Sequence, residues 1–537
     1  MNKLKIYIVA FAALLLGSCS ESFLDSEPIT SLTTGNFYRT KADAELAIIG
    51  CYDGLQALYS AGVAFPVASE VFSDNCYGGV GNTDAYNYQL MDEFDLSRSP
   101  GDVDIFNPAW QSYYKAIYRT NVLLQKMDQI DWEGDDASRN SIEAQARFIR
   151  AYAYFDMVRL WEKVPLLTEP SNENIPQSEP DEIYKLIAED LLFATQNGSE
   201  TVSPGRINKW AAKAYLARVF LFYTGYYEKA DLVGVVSKAD VLQDLEDVIS
   251  SDNYGLIEEF KNLWPAASSA LDESGIGLTT TYAGKDNVET VFAIKYNITS
   301  NYNGNIDGNH WLVMLGLRSQ HFPPYGKGWG ACTVTPSLYA AFEDGDTRKT
   351  ASIINIEQEG LDFDNSDQRE YTGYSNKKYT PLSTVILVDG KKVVKDVSEA
   401  NGGVSFQINQ FQDYVVMRYA DVLLMAAELG SSNAQTYYDE VRARAGLTSK
   451  TVSEANILEE RRLEFAFEGI RYWDLLRQGV QTAADAIAVS DVVLNGSVET
   501  TKTISKDKIV ATRGFQIIPQ TQISLSNGVL KQNQGWN

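Results

Sequence analysis

The stretch Glu459-Glu460-Arg461-Arg462-Leu463-Glu464-Phe465-Ala466-Phe467-Glu468-Gly469-Ile470-Arg471-Tyr472-Trp473-Asp474-Leu475-Leu476-Arg477 sets nine charges among large apolar and aromatic residues. On a helix, Glu464, Glu468, Arg471 and Leu475 share one stripe at spacings of three and four, with Phe465, Phe467 and Trp473 at its flanks. Each acid then has a base within one turn. Charges placed this way are expected to be paired and half buried, in a packing helix rather than a catalytic carboxylate pair.

Further stretches share this texture. Ala144-Gln145-Ala146-Arg147-Phe148-Ile149-Arg150-Ala151-Tyr152-Ala153-Tyr154-Phe155 runs on through Arg159, Leu160 and Trp161 to Val164-Pro165-Leu166. Met417-Arg418-Tyr419-Ala420-Asp421-Val422-Leu423-Leu424, Val441-Arg442-Ala443-Arg444-Ala445-Gly446-Leu447, and the tail segments Ile518-Pro519-Gln520 and Gln532-Asn533-Gln534-Gly535 complete the set. In this order the segments closely resemble those of the SusD/RagB family, the surface lipoproteins of starch-utilisation-type nutrient uptake. The resemblance implies a mainly α, SusD-like fold: divergent tetratricopeptide-like helical repeats with an inserted loop-rich lobe containing small β elements. It also implies that the repeat face meets a partner transporter while loops of the other lobe meet ligand. Ligand residues vary with substrate in this family, so no individual contact carries over.

At the N-terminus, Lys3 and Lys5 precede the apolar run Ile6 to Leu16, too short to span a bilayer but suited to a signal-peptide core. The run ends in Leu16-Gly17-Ser18-Cys19, which looks like a bacterial lipobox. Residues 1–18 would be removed and the Cys19 thiol would carry the lipid, whose acyl chains anchor a soluble domain to the outer membrane. The protein is expected to face the cell exterior.

With 46 basic and 71 acidic residues the formal charge is −25, so nucleic acid, whose phosphates would be repelled, is excluded as a partner. Cys51, Cys76 and Cys332 remain after lipidation, an odd number without CxxC spacing. One bridge is allowed, none is required, and a structural zinc site is unsupported. His310 and His321, the only histidines, lie in no HExxH-like helix and beside no GxSxG elbow. No catalytic residue, metal ligand or cofactor is expected beyond the lipid on Cys19, and the residues leave open whether calcium supports a loop.

Helical periodicity covers Lys41–Tyr59 behind the N-cap Thr40, Pro108–Met127, Ser138–Trp161, Pro180–Thr195, Asn208–Tyr223 and Lys238–Ile249. It returns over Asp413–Leu429, Ala434–Arg444 and Ser453–Arg477. Between them the texture is rich in Gly, Asn, Thr and Tyr, with β-like runs at Thr290–Tyr296 and Thr384–Val388. The expected organisation is a helical region over 19–250, an inserted lobe over 251–412, and a helical region with a turn-rich tail over 413–537.

Carbohydrate recognition needs flat apolar faces flanked by Asn, Asp, Gln and Arg. The Gly-rich stretch 74–88 supplies Asp74, Asn75, Tyr77, Asn82, Tyr86 and Tyr88, and no GK[ST] follows its glycines. The stretch 302–325 supplies Asn309, Trp311, Arg318, His321 and Tyr325. Trp311 reads equally as a stacking platform or as core beside Leu312-Val313-Met314-Leu315, and the tyrosines of the first stretch read as ligand contacts or as cover for their own loop. Trp329, in Gly328-Trp329-Gly330, reads as framework.

The function implied is non-enzymatic: capture of an oligo- or polysaccharide at the cell surface and delivery to a SusC-type TonB-dependent outer-membrane transporter, over whose mouth the protein acts as a lid. Oligopeptide capture is the alternative within the family. A surface glycoside hydrolase would need two carboxylates fixed across a cleft, for which Asp74, Asp84 and Asp307 show no constellation. A purely structural lid is the third reading.

Overall fold

The computed structural model describes residues 37–97, 104–171 and 173–536. The expected leader and Cys19 lie outside them. Among the described residues no helix is long and apolar enough to cross a membrane.

Six long helices come first: α1 (Lys41–Ala57), α2 (Asn107–Lys126), α3 (Asp136–Trp161), α4 (Pro180–Asn197), α5 (Lys209–Tyr226) and α6 (Lys238–Ser250). Their starts follow local chemistry. Thr40 and Ser237 form capping boxes with Asp43 and Asp240, Asn208 accepts from the Ala211 amide, and Pro180 opens α4 where a missing amide proton costs nothing. Successive helices pack on one another. The buried Ala211, Ala212, Ala214 and Ala217 of α5 keep the neighbouring backbones close, and at Gly54 an added Cβ would lie 3.3 Å from the Cα of Ala116 on α2.

The array resumes from the other end of the chain with α7 (Tyr419–Glu428), α8 (Ala434–Arg444) and α9 (Glu454–Glu464), α7 packing against α6. Two expected helices differ in form. Asp413–Leu429 begins as a strand, Tyr414–Arg418, paired antiparallel with Thr290–Ile294, because Val415 and Val416 suit a pleated surface covered on both sides. The stretch Ser453–Arg477 is two helices, α9 and α10 (Arg471–Leu476), broken by left-handed backbone at Phe467 (φ 68°) and Gly469 (φ 74°).

The break redirects the charges. Glu464 does not pair along its own helix; it accepts from Arg418 (2.7 Å), Arg348 (3.1 Å) and Arg444. Glu468 accepts from Arg418 and Lys378, both at 2.8 Å. Arg461 joins Asp421 and Asp474, and Arg471 holds Asp74. Glu464, Glu468, Arg461, Asp421 and Asp474 are buried rather than half buried, whereas Arg471 and Asp74 keep a little exposure. Burial alone would raise the Glu464 carboxyl, but Arg444, Arg418 and Arg348 hold it far below the ordinary carboxylate range. The same burial lowers the Lys378 ammonium to about 8. Desolvating such charges is costly, so the network adds less to stability than to geometry. It staples α9 to the strand at Arg418 and to Arg348 and Lys378 of the inserted lobe.

That lobe is built of two-stranded pieces. β1 (Cys76–Gly79) pairs antiparallel with β3 (Ala331–Val334), while β2 (Thr290–Ile294) pairs with β6 (Tyr414–Arg418). The lobe also holds the hairpin β4 (Ser383–Val388) with β5 (Lys391–Asp396) and shorter pairs such as Ile353–Asn355 with Tyr374–Asn376, and the C-terminal tail adds the hairpin β7 (Val489–Asn495) with β8 (Val498–Ile504). Cys51, Cys76 and Cys332 are free and buried.

Candidate functional site

The glycines of the 74–88 stretch serve close backbone approach. At Gly79, with φ 71°, an added Cβ would lie 2.3 Å from the Gly330 carbonyl oxygen, and the Val80 amide donates to that oxygen at 2.8 Å. The tyrosine-rich loop is thereby fixed against the strand that follows Trp329. Arg369 completes the loop from behind. Its guanidinium donates to the carbonyls of Asn82 and Asp84 (both 2.8 Å) and Ala85 (3.3 Å) and to Gln89 Oε1 (2.9 Å), and lies 4.1 Å from the Tyr86 ring centroid.

Between this loop and Trp329 lies a cavity of ≈ 620 Å³, walled in part by Val63, Asp84, Asn87, Tyr88, Met314, Arg318, Trp329 and Gln407. Its size suits a few sugar rings. It exceeds the cavities of ≈ 410 and ≈ 390 Å³ beside Arg206 and Lys295, which carry no indole. Trp329 is 37 % exposed, whereas most large rings of the protein are buried. Its amide donates to the Val313 carbonyl at 2.9 Å, which fixes the backbone and leaves the ring at the cavity wall. Arg318 sits between Asp84 (3.0 Å) and Asp367 (2.8 Å). Asn87 lines the cavity as well, but its Oδ1 is sealed from solvent and has no hydrogen-bond partner among the described residues. Flat ring, amides and a paired charge together can grip a hydroxyl-bearing ring.

The expected site residues separate. Tyr88 and Arg318 wall the cavity, and the Tyr88 hydroxyl donates to Met314 Sδ. Tyr86 is 45 % exposed on the adjoining loop, and Asn82 donates to the Ser366 carbonyl at 2.8 Å. The rest lie elsewhere. Trp311 is 1 % exposed, its ring enclosed by Tyr379 and Tyr414 at centroid distances of 5.3 and 5.6 Å. It has no face for a sugar. Asn309 is wholly buried, accepting from the Trp311 and Leu312 amides and donating to the Gln412 carbonyl.

Asp74 and Asn75 lock the loop to the charged helices. Burial would raise the Asp74 carboxyl, but hydrogen bonding and charge from Arg471, with Arg462, hold it below its ordinary value, and Asn75 Oδ1 accepts from Arg462 at 3.0 Å. Tyr77 is buried and donates to Asp491. Tyr325 packs in a satellite core with Leu317 and Ile354 and donates to Glu359 at 2.7 Å. His321 Nδ1 accepts from the Lys327 amide, and Nε2 lies 3.5 Å from Asp396; burial first, then Lys327, lowers its pKa. Among the described residues no group of three or more His, Cys, Asp or Glu is placed to hold a metal ion.

Reading Trp329 as framework missed the most exposed indole at the cavity. Its glycine neighbours were the available signal, since Gly328 and Gly330 offer no side chains to cover a ring.

Comparison with known proteins agrees with this architecture. A sequence model described as "SusD family" matches residues 288–536, and one described as "Starch-binding associating with outer membrane" matches 22–221. A SusD-like protein of Bacteroides ovatus is 24 % identical over 500 residues, covering 88 % of this chain and 82 % of its own. The starch-binding protein SusD of Bacteroides thetaiotaomicron is 25 % identical over 65 % of this chain and 66 % of its own. Among solved structures, a laminarin-binding SusD-like protein superposes with a TM-score of 0.70 at 26 % identity, covering 93 % of this chain and 100 % of its own.

Proposed function

The chain belongs to the SusD/RagB family, and from that premise we propose that it is a surface lipoprotein that captures an oligo- or polysaccharide in the Trp329 cavity and passes it to a SusC-type TonB-dependent transporter. The observation that carries the reading is the cavity itself: an exposed indole at the wall of a space of ≈ 620 Å³ that Asp84 and Arg318 also line. No bond is made or broken. Binding raises the local ligand concentration over the channel, and motion of the protein as a lid admits it. Lipid on Cys19 anchors the chain to the outer membrane with its cavity facing outward.

The test is affinity electrophoresis of the soluble chain starting at Ser20 against a polysaccharide panel. Laminarin comes first, because it is the ligand named for the structural relative at 26 % identity. Retardation by one glycan, lost in Trp329→Ala, is the expected result; no retardation by any glycan would overturn the reading. For the anchor, Cys19→Ser should move the protein out of the membrane fraction, and a variant that stays there would refute lipidation at this residue.

A further inference from the structure

The charges of the cavity wall bear on which glycan it accepts. They are Asp84, Asp104 and Arg318, and each already has a partner. Arg318 Nη1 lies 3.0 Å from Asp84 and its Nε 2.8 Å from Asp367, with a further contact to the Trp329 carbonyl at 3.5 Å. Asp84 also accepts from the Gly81 amide at 2.8 Å, and Asp104 from the Thr521 amide at 2.9 Å. The room for Arg318 is tight, since a Cβ on Gly81 would come within 2.0 Å of its Nη2.

We infer that the cavity selects neutral, hydroxyl-rich glycans and rejects anionic ones, a refinement that rests on the glycan-capture reading. A uronate or sulfate entering the cavity finds the one cation that the described residues place in its wall, Arg318, already shared by two carboxylates. Pairing with it would displace Asp84 or Asp367 and leave that carboxylate beside the newcomer, with Asp104 in the same wall. A cationic amino sugar gains little, because each wall carboxylate already serves a donor.

The experiment measures binding of the soluble chain to neutral glucans, alginate, a sulfated galactan and chitosan at about 0.15 M and about 0.5 M salt. Under these conditions the repulsion from the protein's net charge is screened beyond roughly 8 Å and shorter still. The expected result is binding of a neutral glucan with the anionic polymers at least about tenfold weaker at both salt concentrations, the scale of one like-charge pair in a half-buried wall. The Asp84→Asn/Asp104→Asn variant, its fold checked by circular dichroism, should narrow that ratio. An anionic polymer bound as tightly as the neutral one, chitosan bound more tightly, or a ratio untouched in the folded variant would overturn the inference while leaving glycan capture standing. Binding to none of the four would remove glycan capture and the inference with it.

Discussion

Removing the Trp329 ring is the sharpest perturbation of the proposed site. A Trp side chain offers about 250 Å², and 37 % exposure leaves roughly 90 Å² of apolar ring for a ligand to cover. At about 25 cal/mol per Å², covering it contributes about 2 kcal/mol, or roughly 30-fold in Kd. The substitution should leave the fold intact, because the hydrogen bond that the Trp329 amide donates to the Val313 carbonyl is a backbone contact. Trp311→Ala makes the opposite case. Its ring fills a space between Tyr379 and Tyr414, so its loss costs stability, about 3–5 kcal/mol, rather than a ligand contact. Isothermal titration with the glycan found by electrophoresis, alongside urea denaturation of each variant, separates the two. A Trp329→Ala protein that binds as the wild type does, next to a folded Trp311→Ala protein that does not, would refute the assignment.

Three further outcomes follow from the same geometry. Glu464→Gln removes a carboxylate that three buried arginines share, and should cost about 3–5 kcal/mol in urea denaturation; a loss under about 1 kcal/mol would mean the network is dispensable. Burial pushes the Glu70 carboxyl up from 4.5 to about 7. Across that window the folded chain holds a proton that the unfolded chain has released, so stability falls as pH rises, by roughly 3 kcal/mol at most. Glu70→Gln, which keeps an acceptor for the Gly469 amide, should flatten the decline; an unchanged slope between these pH values would assign it to other groups. Arg369→Lys replaces a planar fork that binds three loop carbonyls and Gln89 with a point charge. It should speed proteolysis within residues 81–86 and weaken glycan binding several-fold, and equal proteolysis rates would show that the loop is held by its strand pairing alone.

The sequence by itself determined what depends on neighbours close in the chain. The N-cap at Thr40 and the spacing of apolar residues placed six long helices within a few residues of their bounds. The charged motifs from Glu459 to Arg477 pointed to packing rather than chemistry, and to the family. Partners of those charges were not legible. The apparent pairing of Glu464 and Glu468 with bases along one helix assumed a continuous helix, and the left-handed residues Phe467 and Gly469 break it. Their actual partners, Arg348, Lys378 and Arg418, come from segments far off in sequence.

Tertiary structure alone decided which tryptophan lines the cavity. Trp311, beside apolar neighbours in a polar loop, read equally as platform or core and is core, while Trp329, between glycines, read as framework and lines the cavity. Whether a ring is covered depends on what arrives from elsewhere: Tyr379 and Tyr414 close over Trp311, while the approach of Gly79 to Gly330 brings the tyrosine-rich loop only to the edge of a cavity that Trp329 walls. Helix periodicity is a property of successive residues, whereas burial of a ring is a property of the whole packed chain.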